Sequence, residues 1–136
     1  MDSDVFESEG LEVLDEAECR MLLEQHHIGR VVVVTEGAAA VFPVNYGVVG
    51  GDIVFFTSEG TKLRAAARSA MVSFEVDAVD LSAQTGWSVM VVGTAEQASP
   101  SVATRATAIG VYPWAAGDRH HAVRIRPEFV SGRRIR

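Results

Sequence analysis

Between Thr57 and Lys62 the chain gathers three hydroxyls, a glycine and a lysine within six residues (Thr57, Ser58, Glu59, Gly60, Thr61, Lys62). The pattern places them where an apolar strand, Asp52–Thr57, hands over to a short Ala/Arg helix, Leu63–Ser69. Hydroxyls, free backbone N–H groups and the positive start of a helix are what a phosphate group requires. The plain alternative for the same residues is a helix N-cap beside a solvated lysine. The segment is not a P-loop, because no glycine stands at the spacing that motif needs.

Other chemistry-bearing residues are weighed the same way. Asn45 follows Pro43 and reads either as a ligand contact or as a turn asparagine. Trp87 reads as a ring or interface contact, or as core. Arg30 opens a valine-rich strand, where a charge needs a partner: an ion pair, a phosphate, or water reached by snorkelling. The pairs His26-His27 and His120-His121 do not favour a metal, since neighbours on a strand point to opposite faces. Cys19 stands near Glu16 and Glu18, which would raise its pKa and make it a poor nucleophile. No catalytic residue and no metal site is assigned from spacing.

The elements that must position these residues follow from periodicity. Residues 1–10 read as a flexible arm, and 11–136 as one domain. A helix is expected over Leu14–His27, with Asp15 as N-cap and Glu18 completing a capping-box pattern. Strands are expected at Ile28–Thr35, Ala38–Val49 (interrupted by Pro43), Asp52–Thr57, Met71–Asp77 and Gly86–Glu96. Glu36-Gly37 and Gly50-Gly51 read as tight hairpin turns. Ser99 and Pro100 announce a second helix to Gly110. Tyr112–His120 reads as a loop, and His121–Arg126 with Phe129–Ile135 as a last strand pair. Many short strands with few helices point to a mainly β, antiparallel barrel rather than a doubly wound sheet.

Composition narrows the class. The 136 residues carry a net charge of −6, which argues against a nucleic-acid footprint. The acidic start and the absence of a long apolar run argue against a leader or a membrane span. A single cysteine fits a reducing, cytoplasmic setting. A 48% hydrophobic content with mean hydropathy of +0.16 suggests a covered sheet or a subunit interface.

The order of motifs carries a family likeness. Gly29-Arg30 opens a strand; Pro43-Val44-Asn45-Tyr46 follows; then Thr57-Ser58-x-Gly60-Thr61-Lys62, Phe74-Glu75-Val76-Asp77, Gly86-Trp87-Ser88-Val89 with Gly93, and a terminal Gly132-Arg133-Arg134. This resembles the pyridoxamine 5'-phosphate oxidase-like flavin-binding proteins, in the short branch related to nitroimidazole-resistance proteins. The resemblance implies an FMN-binding split β-barrel of antiparallel Greek-key type and a homodimer with FMN at its interface. It also implies an oxidoreductase acting on a small organic molecule. It assigns the FMN phosphate to Thr57, Ser58, Thr61 and Lys62, and the ring edge to Pro43, Val44 and Asn45. Trp87 and Ser88 would reach the ring or cross the dimer, and Arg30 joins the cofactor-binding set. Full-length oxidases usually place Arg-Lys where this chain has Thr61-Lys62, so the cradle has one positive charge fewer. The arginine and histidine pattern that holds the vitamin B6 phosphate has no clear match. Competing readings are a non-catalytic flavin store, or a relative holding deazaflavin or haem in the same groove.

Overall fold

The computed structural model describes residues 10–58, 70–114 and 120–136. Seven strands and two helices succeed one another: β1 (Leu11–Leu14), α1 (Glu16–Gln25), β2 (Ile28–Thr35), β3 (Ala38–Val49), β4 (Asp52–Ser58), β5 (Ala70–Asp80), β6 (Thr85–Gln97), α2 (Pro100–Ala108) and β7 (His120–Ile135). Every strand pairing is antiparallel, in the order β1-β7-β4-β3-β2-β5-β6, and β6 returns to pair with β7. The sheet therefore closes on itself as a barrel through β6 and β7.

Alternation decides which residues fill the barrel. In the valine run of β2, Val31 and Val33 are buried while Val34 is 77% exposed. From the other strands Tyr46, Ile53, Phe55, Phe74, Val76, Val89, Val91, Val123 and Ile125 join them in one core. Gly29 is glycine for a packing reason: a Cβ there would overlap the ring of Phe74. α1 plugs the barrel with Cys19, Leu22 and Leu23, and the buried Tyr46 hydroxyl donates to the Leu23 carbonyl at 2.6 Å. α2 packs outside, where Ala106 and Val102 meet Val49, Val54 and Val111. Both two-residue hairpin turns have left-handed φ, 53° and 79° at Glu36-Gly37 and 58° and 86° at Gly50-Gly51, as their tight geometry requires.

Four expectations change. Leu11–Leu14 is a strand, paired with Gly132–Ile135, so α1 begins two residues later, at Glu16. Asp15 caps it as expected, its Oδ1 accepting from the Glu18 N–H at 2.8 Å, but the Glu18 side chain accepts from Arg134 instead of closing a capping box. The two C-terminal strands are one, β7, because a register shift between Val92 and Gly93 absorbs Pro127 without ending the ladder. A Cβ on Gly93 would overlap the Arg126 carbonyl oxygen, so the bulge needs glycine. Pro43 likewise does not interrupt β3, which runs through it opposite Arg30. The helix expected at Leu63–Ser69, with Thr61 and Lys62 at its start, lies outside the described residues.

Candidate functional site

β3 and β4 begin as a hairpin and then part. They pair from Tyr46–Val49 to Asp52–Phe55. Beyond that, Phe42–Asn45 pair with β2 and Phe56–Ser58 with β7, and these two stretches do not pair with each other. The barrel is split there, and a cavity of about 400 Å³ opens between the two strand ends. This half of β3 being a sheet edge also explains how it tolerates Pro43.

The split brings together five of the residues singled out from sequence: Pro43, Val44 and Asn45 on one side, Thr57 and Ser58 on the other. Thr57 is the one buried polar residue among the described core positions. The remaining wall comes from Ile28, Phe42, Phe56, His120 and the Tyr112-Pro113-Trp114 stretch. No acid or basic lysine or arginine side chain stands among these lining residues. Asn45 fixes the third wall. Its Nδ2 donates to the His27 carbonyl and its Oδ1 accepts from the Tyr112 N–H, each at 3.2 Å. The amide thus ties the loop after α2 to the start of β2.

Trp87 and Ser88 stand elsewhere. They line a second cavity of about 600 Å³ with Glu75, Asp77 and Arg133. The Trp87 ring lies 4.8 Å from that of His26, which ends α1. Arg30 faces the same region: one guanidinium nitrogen lies 3.2 Å from both Glu75 and Asp77. Of its three readings, the structure shows the ion pair. Burial, a hydrogen bond with Asp77 and the charge of Asp77 raise Glu75 to about 7, against the downward pull of Arg30. Sequence reasoning passed over Glu75 and Asp77 as site residues, although their i, i+2 spacing puts both on the face that carries Arg30. It also took Tyr112 and Trp114 only as loop.

The remaining candidates settle simply. Burial, then Asp15, Glu18 and Glu16, push the Cys19 thiol up, which makes it unreactive. No cluster of metal-ligating side chains occurs among the described residues. No helix there is long and apolar enough to cross a membrane.

A split antiparallel barrel with a groove between two parted strands invites comparison with known proteins. The family model for pyridoxamine 5'-phosphate oxidase matches residues 15–134. The chain belongs to this family. The uncharacterised protein Rv0080 of Mycobacterium tuberculosis is 36% identical over 128 residues, covering 90% of this chain and 84% of its own. The solved structure of an FAD binding protein from Mycobacterium smegmatis superposes with a TM-score of 0.79 at 35% identity, over 92% of this chain and all (100%) of that one. A conserved protein of unknown function from Corynebacterium diphtheriae gives a TM-score of 0.77 at 29% identity, over 93% and 99%. The fold is thus the split β-barrel that the order of motifs implied.

Proposed function

We propose that the chain is a flavin-dependent oxidoreductase acting on a small organic molecule, with the FMN moiety of the flavin in the groove between β3 and β4. The observation that carries this is the split itself. It sets two hydroxyls, Thr57 and Ser58, across a single cavity from Asn45, with apolar walls between and no carboxylate among the described lining residues. A cavity of about 400 Å³ lies within the usual size for a cofactor or ligand site. The M. smegmatis relative, an FAD binding protein, supports the flavin class.

In this reading Thr57 and Ser58 offer hydroxyls to the phosphate, with Thr61 and Lys62 following in sequence. A bound flavin supplies the hydride chemistry. Pro43, Val44 and Asn45 orient the ring edge. The Asn45 amide would add donor character at that edge, where negative charge would be stabilised best with water excluded.

A second copy of the chain completes the site. The outer face of the barrel carries a row of paired residues, Val41, Val32, Ser73, Val92 and Phe129, across five strands. Val41 and Phe129 are 56% and 69% exposed, and Met71 and Met90 flank them in the open. An apolar face of this breadth favours burial against a partner. The cavity holding Trp87 and Ser88 adjoins this face, so a homodimer would supply those two residues to the groove of the partner subunit.

The test is the absorbance spectrum of the purified protein before and after incubation with flavin and desalting. Retained flavin bands support the reading; a colourless protein that takes up no flavin overturns it, and a deazaflavin or haem spectrum replaces it. Turnover of bound flavin by NAD(P)H separates an enzyme from a store. Sedimentation velocity at micromolar concentration should give a dimer.

A further inference from the structure

Strand register gathers exposed apolar side chains on one outer face of the barrel. Val34 of β2, Val41 of β3, Met71 and Val79 of β5, Met90 of β6 and Phe129 of β7 are all exposed, and cross-strand partners with period-two alternation put all six on the same side. Three charged side chains stand in the midst of this face. Arg30 and Glu75 are cross-strand partners, two residues along from Val32 and Ser73, and Asp77 follows Glu75 at i+2. One Arg30 nitrogen lies 3.2 Å from both carboxylates, so two acids share one guanidinium. The neighbouring strands bring no charge directly opposite: Pro43 faces Arg30 from β3, and Met90 and Ser88 face Glu75 and Asp77 from β6. Arg133 of β7 lies beyond Ser88, and His26 at the end of α1 packs on Trp87. Burial first, then a hydrogen bond with Asp77 and the charge of Asp77, hold Glu75 at about 7 even with Arg30 beside it.

We propose that the Glu75–Asp77 pair makes the association of two copies proton-dependent: each copy takes up a proton from solvent at this pair as the face is covered, so the dimer tightens as pH falls. The proposal rests on the homodimer reading and adds a control to it. A second copy is the occupant that the extent of the face favours. Five strands about 4.8 Å apart, followed over about eight residues of β5, give a projection of roughly 20 by 25 Å, to which side-chain relief adds. That is the scale of one side of a standard interface between proteins. A contact between like faces sets each Arg30–Glu75–Asp77 trio against the other copy and takes it out of water. Loss of water disfavours an ionised carboxylate, and most of all the one in excess over the available guanidinium. With a proton on Glu75, Arg30 and Asp77 remain as a one-to-one pair, which a covered face tolerates better than a surplus charge. The covered state therefore binds more protons than the free chain, and by linkage the dissociation constant rises with pH.

The experiment measures the dimer dissociation constant by fluorescence-detected sedimentation of the N-terminally labelled full chain, from nanomolar to micromolar, at pH 6, 7 and 8 and one ionic strength. Two linked protons allow up to about a hundredfold per pH unit, and the constant should rise at least about tenfold from pH 6 to pH 8. Glu75→Gln keeps the shape and removes the charge, so it should hold the constant within about threefold of the wild-type value at pH 6 throughout. Asp77→Asn leaves Arg30 to Glu75 alone and should flatten the dependence as well. His26→Gln should leave the dependence in place. Where the chain stays dimeric at nanomolar concentration, the rate of subunit exchange between two labelled pools is read instead and should rise with pH. A wild-type constant or exchange rate that is flat, or that falls with pH, overturns the proposal while the homodimer reading stands. A dependence that survives Glu75→Gln, or that vanishes in His26→Gln, also overturns it. A monomer at every pH overturns this proposal and the homodimer reading together, and leaves the face to a different partner.

Discussion

The two grooves of this barrel are built on opposite electrostatic plans. Among its described lining residues the groove between β3 and β4 has hydroxyls, an amide, a histidine and apolar walls, without a carboxylate, lysine or arginine. The groove by β5 and β6 is charged, with Glu75 and Asp77 answered by Arg30 and with Arg133 on its lining. Among its described lining residues the first groove sets no carboxylate against an incoming anion. In the second groove Arg30 is already engaged by Glu75 and Asp77. The contrast explains why Arg30, although basic and near the start of β2, is a poor candidate for a phosphate: binding one would mean giving up two carboxylates.

The largest expected effect comes from giving the first groove the character of the other. Ser58→Asp sets a carboxylate against the flavin phosphate. Two like charges about 4 Å apart near a protein surface cost about 4 kcal/mol. Flavin affinity should then fall about a thousandfold, while Ser58→Ala loses about ten- to a hundredfold, as one hydrogen bond to a charged group would. Calorimetry with FMN measures both, with circular dichroism as the check on folding. Unchanged affinity in Ser58→Asp would break the comparison, because the phosphate would then lie elsewhere.

Next comes the pin of the first groove. Asn45→Ala removes two hydrogen bonds, to His27 and from Tyr112. At about 1 kcal/mol each, the loss should be about 1–2 kcal/mol. Thermal unfolding should show it, and hydrogen exchange at the Tyr112 amide should speed up. A protected Tyr112 amide in the variant would mean that Pro113 and Val111 hold the loop without help from Asn45.

The sequence made the barrel legible and half of the site. Strand alternation, two glycine turns and Ser99-Pro100 placed most elements, because each is a local signal that tertiary structure then reinforces. The exceptions are tertiary. Leu11–Leu14 is a strand only because β7 extends to pair with it. Pro127 looks like a strand end until Gly93 on the neighbouring strand supplies the bulge that accommodates it. In the site, Pro43, Val44, Asn45, Thr57 and Ser58 were legible as one set because two neighbouring strands deliver them to the same split. Trp87 and Ser88 belong to a strand on the other side of the barrel, so no local pattern could say that they line a different groove. A run of four valines shows the same limit: Val31 to Val34 are alike in sequence, and only register decides that Val33 is buried and Val34 exposed.

The smallest effect sharpens the charged side of the comparison. Glu75 has its folded pKa raised from 4.5 to about 7, with burial as the leading cause. Between those two values the folded state binds more protons than the unfolded chain. Stability from this group is therefore fully present below about pH 4.5 and lost as pH rises through about 7. Because Arg30 and Asp77 are partly in water, screening holds the swing to about 1 kcal/mol. Glu75→Gln should flatten melting temperature over this range and gain relative to the wild type at pH 8, while Arg30→Ala should steepen the wild-type slope by removing the guanidinium that favours the charged form. Melting curves from pH 5 to 8 decide it. A wild type whose stability rises over that range would mean that Glu75 is already ionised, with Arg30 outweighing burial.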